Sequence, residues 1–332
     1  MSAAEERGLC HAAVNLRPGQ LVGLVCAKGG AACPLLAGLD VAGLLERLAT
    51  DPTVSIRLLT QAEEVGHYRT LLPAQREGLR QSALDRKRDL DVLQKLGLAP
   101  GDTRRARYLY ELLLTAITSP VGLCAYDSPG WSGCPLATSG AYEQVQQRGW
   151  SAMIFDRPAT DLAATRREAT VRVETAPKLH IRPHHLMCLA CSFSGGEHDG
   201  PRPNDLLGEI HDRIRREPDI PVVLVEGQCD ACDPCDGFHG ATGRCVHGCG
   251  LVRDVKKDLD VFCRLGLLPG DELPARDLIE LILSTITNTT QICGFGDGVV
   301  RSPEWNVCGG PTGHPGYIKT RATGLLAGPS EA

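Results

Sequence analysis

Apolar residues recur at helical spacing in LLGEIHDRIRRE, DLDVFCRLGL and ARDLIELILSTIT, which predicts three amphipathic helices in the second half of the chain. VVLV and SIRLL are short apolar runs that predict strands. Pro18 and Pro183 suit the first turn of a helix, Asp205 is placed to cap the helix that follows it, and PGD marks a turn. The sum is an α+β fold in which helix dominates.

The pattern occurs twice. Asp85 to Cys124 aligns without gaps to Asp254 to Cys293, with roughly half the positions identical, which chance does not give over such a length. Leu16 to Cys26 matches Ile181 to Cys191, Thr53 to Thr60 matches Ile220 to Glu226, and Trp131 and Cys134 match Trp305 and Cys308. The expected organisation is a first copy over 9–150, a linker over 151–177 with a helical turn or two, a second copy over 178–320 and a tail over 321–332. A tandem pair of this kind is expected to pack as a pseudo-twofold pair, by analogy with homodimers.

Composition narrows the function classes. The chain has 332 residues, 42% of them hydrophobic, enough for two cores. Its net charge of -5 comes from 35 basic and 40 acidic residues that are mixed along the chain, which argues against nucleic acid as a partner. No apolar run suits a signal peptide or a membrane span, so the expected address is the cytoplasm, with no membrane partner.

Fifteen cysteines change the picture, because a reducing compartment disfavours disulfides and closely spaced thiols then point to metal or redox chemistry. Cys229, Cys232, Cys235, Cys245 and Cys249 lie in one Asp-, Pro- and Gly-rich loop with Cys-x-x-Cys spacing, which lets two thiolates converge on one metal. Spacing alone leaves an iron–sulfur cluster and a structural zinc site of four cysteines open. Three cysteines recur in both copies: Cys26 with Cys191, Cys124 with Cys293, and Cys134 with Cys308. They suggest a second kind of site, present twice, for which Cys33 and His198, opposite each other in the alignment, are candidate fourth ligands. Cys263 reads as incidental and Cys10 receives no assignment.

His184, His185 and Cys188 are replaced by Gly19, Gln20 and Gly23 in the first copy, which also lacks the five-cysteine loop. Their joint loss suggests that these residues serve one site. The two histidines are candidates to ligate metal, to donate a hydrogen bond to sulfur or to transfer protons. GFGDG follows no convincing strand, and no phosphate-binding loop, nucleophile elbow or zinc-protease motif occurs.

IRPHHLMCLACSF, CDACDPC…GRC, KKDLDVFCRLGLLPGD and ICGF…W…C, in this order over residues 180 to 310, resemble the cysteine-rich prokaryotic family catalogued as domain of unknown function 1284. The resemblance implies iron–sulfur binding, with Cys188, Cys229, Cys232, Cys245, Cys293 and Cys308 as the matching thiols. This chain departs from the family in having Phe295 near Cys293 where a second cysteine is usual, and in adding Cys235 and Cys249. The first copy resembles a degenerate member.

The expected function is therefore an iron–sulfur protein, with a 4Fe–4S cluster and a redox or electron-transfer role toward a partner protein. Its metal ligands are expected among Cys188, Cys191, Cys229, Cys232, Cys235, Cys245, Cys249, Cys293 and Cys308, with a possible second site at Cys26, Cys33, Cys124 and Cys134. One alternative is an enzyme in which a cluster held by three cysteines binds a small-molecule substrate, with His184 or His185 as acid–base groups. The other is a zinc-stapled interaction module.

Overall fold

Val14–Leu16 (β1) and Ser55–Leu58 (β2) pair in parallel, and β2 pairs antiparallel with Thr103–Arg105 (β3). The same sheet recurs as Leu179–Ile181 (β4), Pro221–Leu224 (β5) and Glu272–Pro274 (β8), with the registers Val14↔Ile56 and Leu179↔Val222 in corresponding places. A computed structural model of the chain describes residues 13–51, 53–61, 79–127, 133–155, 157–194, 204–240, 243–247, 253–301, 305 and 308–326. The chain divides into two compact units, Met1–Asp156 and Arg157–Ala332.

The first unit carries helices Pro18–Lys28 (α1), Val41–Thr50 (α2), Leu79–Leu96 (α3), Ala106–Ala116 (α4) and Ala141–Arg148 (α5). The second carries Ala159–Thr175 (α6), Pro183–Ser192 (α7), Leu207–Arg216 (α8), Arg253–Leu265 (α9), Ala275–Thr285 (α10), Thr290–Cys293 (α11) and Pro315–Thr323 (α12), with a two-stranded ribbon of Phe238–His239 (β6) and Arg244–Cys245 (β7). The fold is thus α+β and helix-dominated, and the predicted helices and strands form where the periodicity put them. Pro18 and Pro183 each open their helix, where a missing N–H costs nothing. Asp205 accepts a hydrogen bond from the Leu207 N–H at 3.0 Å, but the capping position of α8 is Leu206, one residue later than expected.

Two polar devices occur in both units, and the first holds the helix that will carry the thiols. Asp89 on α3 accepts from the Gly19 N–H at 2.9 Å and from Arg17 Nε at 2.8 Å. Asp258 on α9 likewise accepts from the His184 N–H at 3.3 Å and from Arg182 Nε at 2.7 Å. A carboxylate at a helix N-terminus satisfies free N–H groups and meets the positive end of the dipole. At the other end of each unit, the hydroxyl of Tyr142 donates to the Ile117 carbonyl at 2.8 Å, and that of Tyr317 to the Ile286 carbonyl at 2.9 Å. These bonds tie the final helix back to the end of α4 or α10.

The segment expected to be a linker is instead a 17-residue helix of the second unit. Ala169 and Val173, one turn apart on α6, are fully buried in that unit's core, and Arg213 on α8 donates to the carbonyls of Val173 at 3.1 Å and Ala176 at 3.2 Å. Exposed Val171 lies on another face of the helix, and Leu162 is only half-buried, so the buried pair does not register as an amphipathic stripe. Among the described residues no helix is long and apolar enough to cross a membrane.

Candidate metal centres

Helix α7 presents its chemistry on two faces. His184, Cys188 and Cys191 are spaced i, i+4, i+7 and share one side, whereas His185, about 100° further round, looks elsewhere. The shared side lines a narrow cavity together with Lys257 of α9, Cys293 of α11, Cys308 and Gly310. Four thiols therefore meet there: Cys188, Cys191, Cys293 and Cys308. Gly310 makes the approach possible, because a Cβ on it would lie 2.7 Å from the Cys293 sulfur.

The first unit builds the corresponding cavity from Cys26 of α1, Cys33, Cys124 and Cys134, with Val22, Leu35 and Leu136 around them. Cys26, Cys124 and Cys134 are the aligned counterparts of Cys191, Cys293 and Cys308. The fourth thiol arrives by another route. Gly23 stands where the second unit has Cys188, and a Cβ built on Gly23 would lie 3.2 Å from the Cys33 sulfur. Cys33 thus fills from a neighbouring loop the volume that the Cys188 side chain fills from the helix. The spatial counterpart of Cys33 is Cys188; His198, its partner in the alignment, lies outside the described residues, as do Cys10, Trp131 and Cys249.

A cation beside the thiols is also retained: Arg88 on α3 lowers Cys124, and the aligned Lys257 on α9 lowers Cys188 and Cys293. Burial outweighs these cations. It pushes Cys26 up to about 12, Cys124 to about 11 and Cys188 to about 12, and it raises Cys33, Cys191 and Cys293 as well. Crowding adds to the effect, since Cys26 feels Cys33, Cys124 and Cys134 together. Thiols held in this way keep their protons until a metal displaces them. No disulfide joins the cysteines among the described residues.

The cavity of the second unit has one feature that its counterpart lacks. His184 is buried, and its Nδ1 lies 2.6 Å from Asp258 Oδ1. Burial would raise the Asp258 carboxyl, but the His184 hydrogen bond and charge and the Arg182 guanidinium bring it below its ordinary value, so it accepts and Nδ1 carries the proton. Burial, with His185 adding to it, lowers His184 to about 4, and the imidazole is neutral at neutral pH. On the outer side, an open pocket of about 450 Å³ borders Cys293 and is lined by Lys256, Phe295, Val299, Arg301 and Trp305.

His185 faces the cysteine loop instead. Its Nδ1 is 3.1 Å from Cys229 Sγ, which is 3.7 Å from Cys232 Sγ. Among the described residues these are the only three donors of metal-binding type that lie within 4.8 Å of one another. Further along the loop, Cys235 Sγ is 3.8 Å from His247 Nδ1, and Cys245 sits opposite Phe238 in the β6–β7 ribbon. Cys263 is exposed on α9 and joins neither set. The residues expected to serve one site, from the joint loss of His184, His185, Cys188 and the loop, thus fall into two groups on different faces of α7.

No protein-family model, curated protein or solved structure matches the chain. The resemblance drawn from the cysteine blocks rests on those blocks alone.

Proposed function

We propose that the protein binds two iron–sulfur clusters, one in each unit, and serves in electron transfer to a redox partner in a reducing compartment. The observation that carries this reading is the meeting of four thiols at one cavity in both units, with the fourth supplied from different chain positions. A cavity whose fourth cysteine is lost from the helix and regained from a loop is one in which the number of thiols matters. All-sulfur donation is the ligand set of 4Fe–4S clusters, and the thiols are more widely spread than the 4.8 Å grouping seen at His185. Cys26, Cys33, Cys124 and Cys134 would hold one cluster, and Cys188, Cys191, Cys293 and Cys308 the other. A bound cluster would supply one-electron chemistry. Arg88 and Lys257 offset the negative charge that four thiolates bring, and Val22, Leu35 and Leu136 give the first unit's cavity an apolar lining.

A second reading is favoured by His184. Its neutral imidazole, held by Asp258 beside the thiols of the second unit alone, and the open pocket next to Cys293 suit an enzyme acting on a small apolar molecule there. The two readings share the cluster and differ in whether the second unit turns a substrate over.

Anaerobic purification with iron, sulfide and zinc analysis and an absorption spectrum tests the shared part. The expected content is about eight iron and eight sulfide per chain, of which Cys26→Ala and Cys191→Ala each remove about half. Zinc in these cavities without labile sulfide would overturn both readings.

A further inference from the structure

We infer that His185, Cys229 and Cys232 form a separate site for a single zinc ion, distinct from the four-thiol cavities and present in the second unit alone. Spacing carries the inference. Tetrahedral zinc at about 2.3 Å from sulfur holds two thiolates about 3.8 Å apart, and the Cys229 and Cys232 sulfurs stand 3.7 Å apart. His185 Nδ1 closes the triangle from α7 at 3.1 Å. Two thiolates and an imidazole suit zinc better than a cluster, for which thiolates are the usual donors.

The surroundings hold the two sulfurs in place. The Cys229 N–H points to Cys232 Sγ at 3.5 Å, so the Cys-x-x-Cys turn directs one of its own amides at one of its sulfurs. The buried Arg182 guanidinium adds positive charge beside them. The first unit has Gln20 at the position of His185 and no counterpart of the loop, so nothing there corresponds. Such an ion would fasten the loop that starts at Cys229 to the helix that also carries Cys188 and Cys191, making the loop a clamp on the neighbouring cavity.

The experiment uses the full chain, reconstituted anaerobically with iron, sulfide and zinc and passed through a chelating resin. Wild type is expected to retain roughly one zinc per chain beside its iron. Cys229→Ser and His185→Gln are each expected to lower retained zinc by more than about tenfold while iron and sulfide stay within error. Exposed Cys263→Ser should change neither. Cobalt(II) in place of zinc in the wild-type chain gives a readout that does not depend on any variant folding: a tetrahedral spectrum with thiolate-to-cobalt absorption, which Cys26→Ala leaves intact. Loss of iron and sulfide in Cys229→Ser, with the circular dichroism of wild type, would assign these thiols to a cluster and overturn the zinc site. An octahedral cobalt spectrum would overturn it too. Neither result bears on whether the first unit holds a cluster, so the two proposals fail separately.

Discussion

Gly23 and Cys33 permit an exchange that few residue pairs allow. The Cys33 sulfur lies 3.2 Å from the point where a Cβ on Gly23 would stand, so one thiol can be traded for the other in nearly the same volume. Cys33→Ala is expected to cost the first unit its cluster, lowering iron and sulfide by about half of the whole. Adding Gly23→Cys in that background is expected to restore both, with Leu36, 3.1 Å from the new Cβ, giving way slightly. Iron and sulfide analysis of the two variants checks it, and a double variant as poor as the single one would refute the equivalence. Gly310→Ala tests the same principle in the second unit. Its new Cβ would fall 2.7 Å from Cys293 Sγ, too close to coexist with that thiol in place, and iron in the second unit should drop while the first unit keeps its own. The aligned cysteines were legible in the sequence because they repeat in register. The match of Cys33 with Cys188 was not, because it is a coincidence of volume and not of position. The separation of His184 from His185 was hidden for a similar reason: neighbours in sequence point about 100° apart on a helix.

At the scale of elements, the cysteine loop has little regular structure of its own and is held from outside. Arg157 Nη1 donates to the carbonyls of Asp233 at 2.8 Å, Cys235 at 3.0 Å and Phe238 at 3.2 Å, gathering three turns of the loop on one guanidinium. Arg157 precedes α6, so the helix that stands in place of the expected linker is part of what shapes the loop. Arg157→Ala takes one donor from three carbonyls, of which Cys235 keeps the Phe238 N–H, and is expected to speed zinc loss to a chelator by roughly tenfold, as loss of an outer hydrogen-bonding partner does at other metal sites. Release of zinc to a colorimetric chelator measures it, and a rate equal to wild type would mean that the loop holds its shape unaided. The attachment of α6 itself rests on buried Arg213, which donates to the carbonyls at the C-terminal end of that helix. Arg213→Ala should destabilise the second unit by about 2–4 kcal/mol, read from the shift of its urea midpoint. Helices α8, α9 and α10 and strands β2 and β5 were legible from periodicity, and α1 and α7 from their prolines. α6 was not, because its hold on the core comes from Ala169, Val173 and a partner's guanidinium, none of which leaves an apolar stripe.

At the scale of the whole molecule, the two units share a plan but respond to acid in opposite senses. In the second unit, burial would raise the Asp254 carboxyl, but His184, Arg253 and Lys257 outweigh it and hold it well below the ordinary carboxylate value. Asp258 is lowered as well. A carboxylate lowered in the folded state contributes stability that is complete above its unfolded value of about 3.9 and is lost as pH falls through the folded value. His184 acts in the same direction, because unfolding lets the neutral imidazole take a proton below its ordinary value of 6.5. In the first unit the sign is reversed. Burial raises Asp89 more than Arg17 and the Gly19 N–H lower it, so its buried charge costs stability above the folded value, and that cost disappears as pH falls. The aligned position of His184 is Gly19, which titrates nothing. Acid should therefore open the second unit first, beginning below about pH 6.5 where His184 starts to weigh, while the first unit persists to lower pH. The difference follows from what each copy has kept: the Arg–Asp pair is common to both, and the imidazole that presses on Asp254 and Asp258 belongs to one. Urea unfolding of the full chain at several pH values, followed by hydrogen exchange resolved to peptides of each half, distinguishes the two transitions. Simultaneous loss of protection in both halves across that range would show that the units stand or fall together.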